Sequence, residues 1–88
     1  MMVMKMDKVL VKLYVPIIEQ QFDILIPVNR KIYSVIRLLE RGINELSGGF
    51  YKPVNMPMLY EKTTGREYDI NLSVKDNNIK NGTELILI

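Results

Sequence analysis

The chain contains no cysteine and no histidine. The absence of cysteine excludes a disulfide framework, thiolate zinc sites and thiol catalysis, and it is typical of proteins from a reducing cytosol. The absence of histidine removes the commonest general base and the commonest metal ligand. The serines have no base to activate them, and the carboxylates are scattered over predicted turns and outward positions. We therefore expect a protein that is not an enzyme and that needs no cofactor.

The chain also has little excess of either sign of charge and no long apolar run. The net charge is only +2, which does not by itself indicate a nucleic-acid or membrane partner. No stretch approaches the roughly 20 apolar residues that a membrane helix requires. The apolar N-terminal extension, residues 1–7, is too short for a signal peptide. The length of 88 residues therefore predicts one domain, residues 8–88, with a cytoplasmic location.

Two runs near the start of the domain alternate between apolar and other side chains, as β-strands do. The first covers residues 8–15 and the second covers residues 22–26, and a proline follows each of them. Their closeness in sequence predicts an antiparallel hairpin. The residues expected to face the core are Val9, Val11, Leu13, Val15, Phe22, Ile24 and Ile26.

The hydrophobic period then changes to about 3.6 residues, which predicts one helix over residues 30–47. Asn29 is the predicted N-cap, and Gly48 is the predicted stop. The apolar stripe of this helix is wide enough to cover one face of a sheet. Its members are Ile32, Val35, Ile36, Leu39, Ile43 and Leu46.

Three more strands are predicted after the helix, over residues 58–61, 66–70 and 83–88. The middle one has the weakest pattern, and Asn81-Gly82 is a strong turn signal before the last. The order ββαβββ predicts an α+β domain, a mixed sheet with one helix packed across one face. The final strand is almost continuously apolar, so we expect it to pair in parallel with the first at the sheet centre.

The loop of residues 50–58 is unusually apolar. The flexible side chains of Met56 and Met58 would suit an adaptable contact with a partner. Such residues more often fill the end of a small core, and we expect that role for them here.

The segment from Leu72 to Ile88 resembles the final part of ubiquitin-like β-grasp domains. It contains an apolar core residue, a turn, an isoleucine, a second polar turn and an apolar strand, in that order. The resemblance covers nearly the whole chain, from Val9 to Ile88, and it implies the ubiquitin-like β-grasp fold. The residues that match the pattern of the family are Val74, Ile79, Leu85 and Leu87 in this segment, and Ile26, Val28, Ile32, Val35 and Leu39 around the helix start.

Within that superfamily the chain is most similar to the bacterial YukD/EsaB-type proteins, which accompany type VII (WXG100) secretion systems. The Asn81-Gly82 pair before its final strand resembles that group. The resemblance implies a non-catalytic protein-binding module, an accessory component whose partners are secretion-system proteins. Conjugated modifiers and sulfur carriers end in a flexible Gly-Gly tail, whereas Ile88 lies in the predicted final strand and Gly48-Gly49 is internal. We therefore expect no conjugation. The alternatives are a self-associating structural subunit, or a sulfur carrier or protein modifier if the native chain is longer.

The outward face of the predicted sheet is more apolar than a solvated sheet face usually is. An apolar outer face suggests protein binding or self-association, and ubiquitin-like domains generally recognise partners through this face. The alternative is that residues 1–6 or scattered packing cover it. The residues predicted to form this surface are Leu10, Tyr14, Leu25, Tyr60, Ile86 and Ile88.

A second candidate surface is a basic flank on the predicted helix. Positive charges in the first helical turn oppose the helix dipole. Such a flank would dock an acidic partner, although runs of charge usually only solvate a helix face. Its residues are Arg30, Lys31, Arg37 and Arg41.

Overall fold

The computed structural model describes residues 7–52 and 56–88. These residues form four strands and one α-helix, namely β1 (Lys8–Val15), β2 (Gln20–Pro27), α1 (Ile32–Leu46), β3 (Leu59–Glu61) and β4 (Glu84–Leu87). A short 3-10 helix, Pro16–Ile18, connects β1 to β2. The predicted extension, residues 1–7, lies outside the described residues except for Asp7. The Asp7 carbonyl accepts a hydrogen bond of 3.1 Å from the Val28 N–H.

The strands form one mixed sheet in the order β2-β1-β4-β3. β1 pairs with β2 in antiparallel register, and it pairs with β4 in parallel at the centre of the sheet. Both pairings confirm the prediction. The Asn81-Gly82 pair helps to set the parallel register, because the Leu10 N–H donates to Asn81 Oδ1 at 2.8 Å. The Gly82 N–H in turn donates to the Leu10 carbonyl, also at 2.8 Å.

Helix α1 packs across one face of this sheet and closes a single core. The alternation in β1 and β4 directs every second side chain toward the helix, as the sequence pattern predicts. Val9, Phe22 and Ile24 are only partly buried at the margin of the core. The buried residues are Val11, Leu13, Val15, Ile26, Ile32, Val35, Ile36, Leu39, Ile43, Tyr51, Leu59, Tyr68, Val74, Ile79, Leu85 and Leu87.

The start of α1 differs from the prediction. The helix begins at Ile32, and its N-cap position is Lys31, which makes no capping hydrogen bond through its side chain. The prediction of Asn29 as N-cap was therefore wrong. The first free helical N–H groups are satisfied from another part of the chain, since Ile32 N–H donates to the Leu72 carbonyl at 2.9 Å and Tyr33 N–H to the Ile70 carbonyl at 3.2 Å.

The end of α1 follows the prediction more closely. Gly48 follows the C-cap Ser47 and adopts a φ of 67°, a left-handed conformation that suits glycine. Leu46, however, is 64% exposed and does not belong to the buried stripe. The predicted stripe was therefore correct from Ile32 to Ile43 and one turn too long.

The predicted strand over residues 66–70 is absent from the described structure, so the order is ββαββ. One isolated bridge, between Tyr60 and Glu67, is the remnant of the expected pairing. Two main-chain hydrogen bonds flank this bridge, from the Glu61 N–H to the Arg66 carbonyl at 2.8 Å and from the Tyr68 N–H to the Leu59 carbonyl at 3.1 Å. Beyond Tyr68 the main chain bonds elsewhere, since Asp69 is joined to the Asn77 side chain by two hydrogen bonds at 3.0 Å.

The loop after α1 also corrects an expectation. Met56 is 81% exposed, so it does not fill the core, and Met58 is half-buried. Tyr51, and not a methionine, fills this end of the core and is 1% exposed. Its main-chain N–H donates to Ser47 Oγ at 3.1 Å, which ties the main chain of Tyr51 to the end of the helix. Residues 53–55 of this loop lie outside the described structure.

Candidate protein-binding surface

The six residues predicted for the outer surface all lie on strand positions that point away from α1 or directly follow them. In β1 and β4 the neighbouring side chains Val11, Leu13 and Leu85 are buried under the helix. Because side chains alternate along a strand, the intervening positions face the opposite side of the sheet. We call this side the outer face.

Three of the six residues form a continuous line across the sheet. Tyr14 in β1 is opposite Ile86 in β4, and Ile86 is opposite Tyr60 in β3. All three side chains are half-buried, so their flanks support one another while their outer edges remain accessible. We call these residues the aromatic row. Ile88, two residues after Ile86, lies beside the middle of this row and is 61% exposed.

The position of Ile88 is set by its main chain. Its N–H donates to the Met58 carbonyl at 3.0 Å, and its own carbonyl accepts from the Met58 N–H at 2.7 Å. This exchange of two hydrogen bonds extends the pairing of β3 with β4 by one residue pair. The Ile88 side chain therefore lies on the same face as Ile86, two residues before it.

A second line of residues runs from β2 across β1 and β4 to the residue that follows β3, and its charges alternate in sign. Lys12 is opposite Asp23 in β2 and opposite Glu84 in β4, and Lys62 Nζ lies 4.0 Å from Glu84 Oε2. Lys62 Nζ is also 5.4 Å from the centre of the Tyr14 ring, within the range of a cation–π interaction. We call Asp23, Lys12, Glu84 and Lys62 the charged row.

Leu10 and Leu25 lie on the far side of the charged row. They are directly opposite each other in β1 and β2, and they are 47% and 60% exposed. The outer face therefore holds two apolar areas, the aromatic row and this leucine pair, with the charged row between them. The sequence places all six residues on one face, but the structure does not join them into one patch.

The basic flank is less coherent than the sequence suggests. Its four residues are exposed, but Arg30 and Lys31 precede the helix, and Arg30 Nη1 donates to Ser34 Oγ at 3.3 Å. Arg37 and Arg41 line a shallow depression with Glu40 and Glu45, so two carboxylates offset two guanidinium groups there. The flank consequently presents mixed charge at its centre.

Two buried tyrosines are absent from the sequence predictions. Burial raises the pKa of Tyr51 to about 12, and the negative charge of Glu40 adds to this rise. The Tyr51 hydroxyl also donates to Glu40 Oε2 at 3.1 Å. Burial and the charge of Glu61 raise the pKa of Tyr68 to about 12, against the opposing charge of Arg66. An aromatic residue beside a glycine-rich helix end was the available signal for Tyr51.

The described residues show no grouping of three or more acidic side chains that could hold a metal ion. In residues 7–52 and 56–88 there is also no helix with the length and apolar content that crossing a bilayer requires.

No protein-family model matches the chain, and no curated protein matches it in sequence. Solved structures of the same fold are numerous, and they include the ubiquitin-like domain of an Arabidopsis thaliana protein. That domain is 18% identical, with a TM-score of 0.68 over 92% of this chain and 76% of that one. The chain therefore has the predicted ubiquitin-like β-grasp fold, with a mixed four-stranded sheet and one helix.

Bacterial secretion proteins are among the similar structures. The ubiquitin-like domain of the Mycobacterium tuberculosis type VII secretion system protein EccD1 is 14% identical, with a TM-score of 0.64 over 94% of this chain and 99% of that one. A chain of the MycP5-free ESX-5 inner membrane complex is 15% identical, with a TM-score of 0.67 over 92% of this chain and 20% of that one. At these identities the likeness establishes the fold.

Proposed function

We propose that this protein is a non-catalytic, cytoplasmic ubiquitin-like module that binds another protein through its outer face. We further propose that it acts as an accessory component of a bacterial type VII secretion system, of the YukD/EsaB type. The observation that supports protein binding through the outer face is the aromatic row. It sets two tyrosines and an isoleucine side by side on the sheet face that α1 leaves uncovered.

The chemistry of the outer face suits protein binding. Tyrosine is enriched among the residues that dominate binding energy, because its ring supplies a large contact area with few rotatable bonds. The charged row beside it would fix the orientation of a partner that carries the complementary alternation of charge. The exposed leucine pair adds a second apolar contact on the same face.

The likeness to the EccD1 domain and to the ESX-5 chain supports the secretion context. The partner that we propose is a component of the membrane complex of such a system. The Asn81-Gly82 pair is the sequence feature that supports the narrower YukD/EsaB assignment.

A photo-crosslinking amino acid at position 60, introduced in the native host, tests the proposal. We expect it to capture a component of the type VII membrane complex. The double variant Tyr60→Glu/Ile86→Glu should then bind the purified partner at least about 30-fold more weakly, since the loss of even one central contact worth about 2 kcal/mol weakens binding by that factor. Binding is measured by calorimetry.

The matched control is Ile17→Glu/Leu46→Glu, which adds the same charge at two apolar residues that are each 64% exposed and lie off the outer face. This control should bind as tightly as the parent protein. Urea unfolding of both double variants establishes that they fold. Equal binding by the parent and the Tyr60→Glu/Ile86→Glu variant would refute the assignment of the outer face.

A further inference from the structure

One cavity on the described surface lies away from the outer face. It has a volume of about 600 Å³ and opens at the end of the sheet where β1 begins and β2 ends. None of the outer-face or basic-flank residues lines it. We call it the lysine groove, because its floor is apolar and its rim is basic. The floor is Val9, Val28 and Ile79, and the rim lysines are Lys8, Lys75 and Lys80.

Main-chain hydrogen bonds hold the three segments that form the groove. The Val28 N–H donates to the Asp7 carbonyl at 3.1 Å, and the Lys75 N–H donates to the Val28 carbonyl at 2.9 Å. The Ile79 N–H donates to the Val74 carbonyl at 3.2 Å. These hydrogen bonds fix the walls of the groove, so little free energy would be lost in ordering it when a ligand binds.

The groove is lined mainly by positive charges, and its lysines make no ion pair within the described residues. Asp7 is the single acidic residue among those that line it. In the described parts of the chain, 7–52 and 56–88, the one ion pair within 4.0 Å joins Lys62 to Glu84. The three rim lysines are exposed and therefore keep their ammonium groups available to carboxylates of another molecule.

We propose that the lysine groove is a second protein-binding site, which takes an acidic segment of a partner protein. An apolar side chain of that segment would contact the floor, and carboxylates on either side would contact the rim lysines. Asn78 lines the same groove, and its side-chain amide would hydrogen-bond to the main chain of an extended peptide. Charge complementarity and an apolar floor together select an acidic peptide.

A fluorescent peptide with acidic residues on both sides of one leucine tests the site by anisotropy. We expect the full protein to bind it, and to bind it more weakly when salt rises from about 0.05 M to about 0.5 M. The variant Lys75→Glu/Lys80→Glu should weaken binding at least about tenfold, since like charges then face each other. Replacing the peptide leucine by serine should weaken binding to the parent protein.

The matched control is Arg37→Glu/Arg41→Glu, which makes the same change of net charge on the basic flank. It should retain binding, and so should Tyr60→Glu/Ile86→Glu, which separates this site from the proposed outer-face function. Equal losses in both charge-reversed variants, or equal binding of a neutral peptide with amides for carboxylates, would overturn the proposal. It would also be overturned if only the groove variant changed the sedimentation coefficient, because the occupant would then be a second copy of the chain.

Discussion

Replacing Asn77 by alanine should remove a large fraction of the stability of this domain. The side chain is 9% exposed, and its Oδ1 accepts from the Asp69 N–H at 3.0 Å. Its Nδ2 donates to the carbonyls of Asp69 and Ser73, both at 3.0 Å. Each of these three bonds contributes about 1 kcal/mol, and their loss leaves main-chain groups without partners. We therefore expect the free energy of unfolding to fall by about 3 kcal/mol, against a total of about 5–15 kcal/mol.

Urea unfolding at neutral pH, followed by circular dichroism, measures this change. Asn71→Ala in the same loop is the control, because Asn71 is exposed and its change should cost less than about 0.5 kcal/mol. Asn77→Asp should not rescue stability, since a carboxylate keeps the acceptor for the Asp69 N–H but cannot donate to carbonyls. If Asn77→Ala were as stable as Asn71→Ala, the role assigned to this hydrogen-bond network would be incorrect.

The other predictions concern Tyr51 and the apolar stripe of α1. A folded-state pKa of about 12 at Tyr51 stabilises the protein fully below the ordinary value of 10, and this stabilisation is lost as pH rises from about 10 to about 12. Tyr51→Phe should therefore be less stable than the parent protein by about 1 kcal/mol at pH 8, and this difference should shrink by pH 11. Urea unfolding at both pH values measures the difference. A difference that does not change with pH would show that it does not arise from the ionisation of Tyr51. Ile43→Ala should lower the free energy of unfolding by about 2–4 kcal/mol, because Ile43 is fully buried. Leu46→Ala should lower it by about 0.5 kcal/mol or less, because Leu46 is 64% exposed. Thermal and urea unfolding measure both changes, and equal losses would contradict the structure.

The parts of the fold that depend on local patterns could be predicted from the sequence. Alternation identified β1 and β2, and the 3.6-residue period identified α1. The continuous apolar run of β4 indicated its central, parallel position. These signals repeat within a few residues of one another and do not require knowledge of a distant partner.

The features that depend on contacts distant in sequence could not be predicted in the same way. The start of α1 is determined by the Leu72 carbonyl, which is far from Ile32 in sequence. The expected strand over residues 66–70 does not continue at Asp69, whose N–H and carbonyl bond instead to the side chain of Asn77, eight residues later. Propensity alone contains no information on either contact.

The candidate site shows the same division. Alternation alone places Leu10 and Tyr14 on the outer face, because successive side chains point to opposite sides. The charged row between them requires the register of three strand pairings, which places Lys12 between Asp23 and Glu84. The lysine groove forms where three separate segments of the chain meet, so no local sequence pattern predicts it.

The central pairing of β1 with β4 also constrains when the protein can fold during its synthesis. The hydrogen bond from the Leu10 N–H to Asn81 Oδ1 joins residues 71 positions apart. The hairpin of β1 and β2 is synthesised before β4, and two strands alone are marginally stable in water. The central strand β1 therefore lacks its parallel partner until Glu84 has been synthesised, so the four-stranded sheet can be completed only after that point.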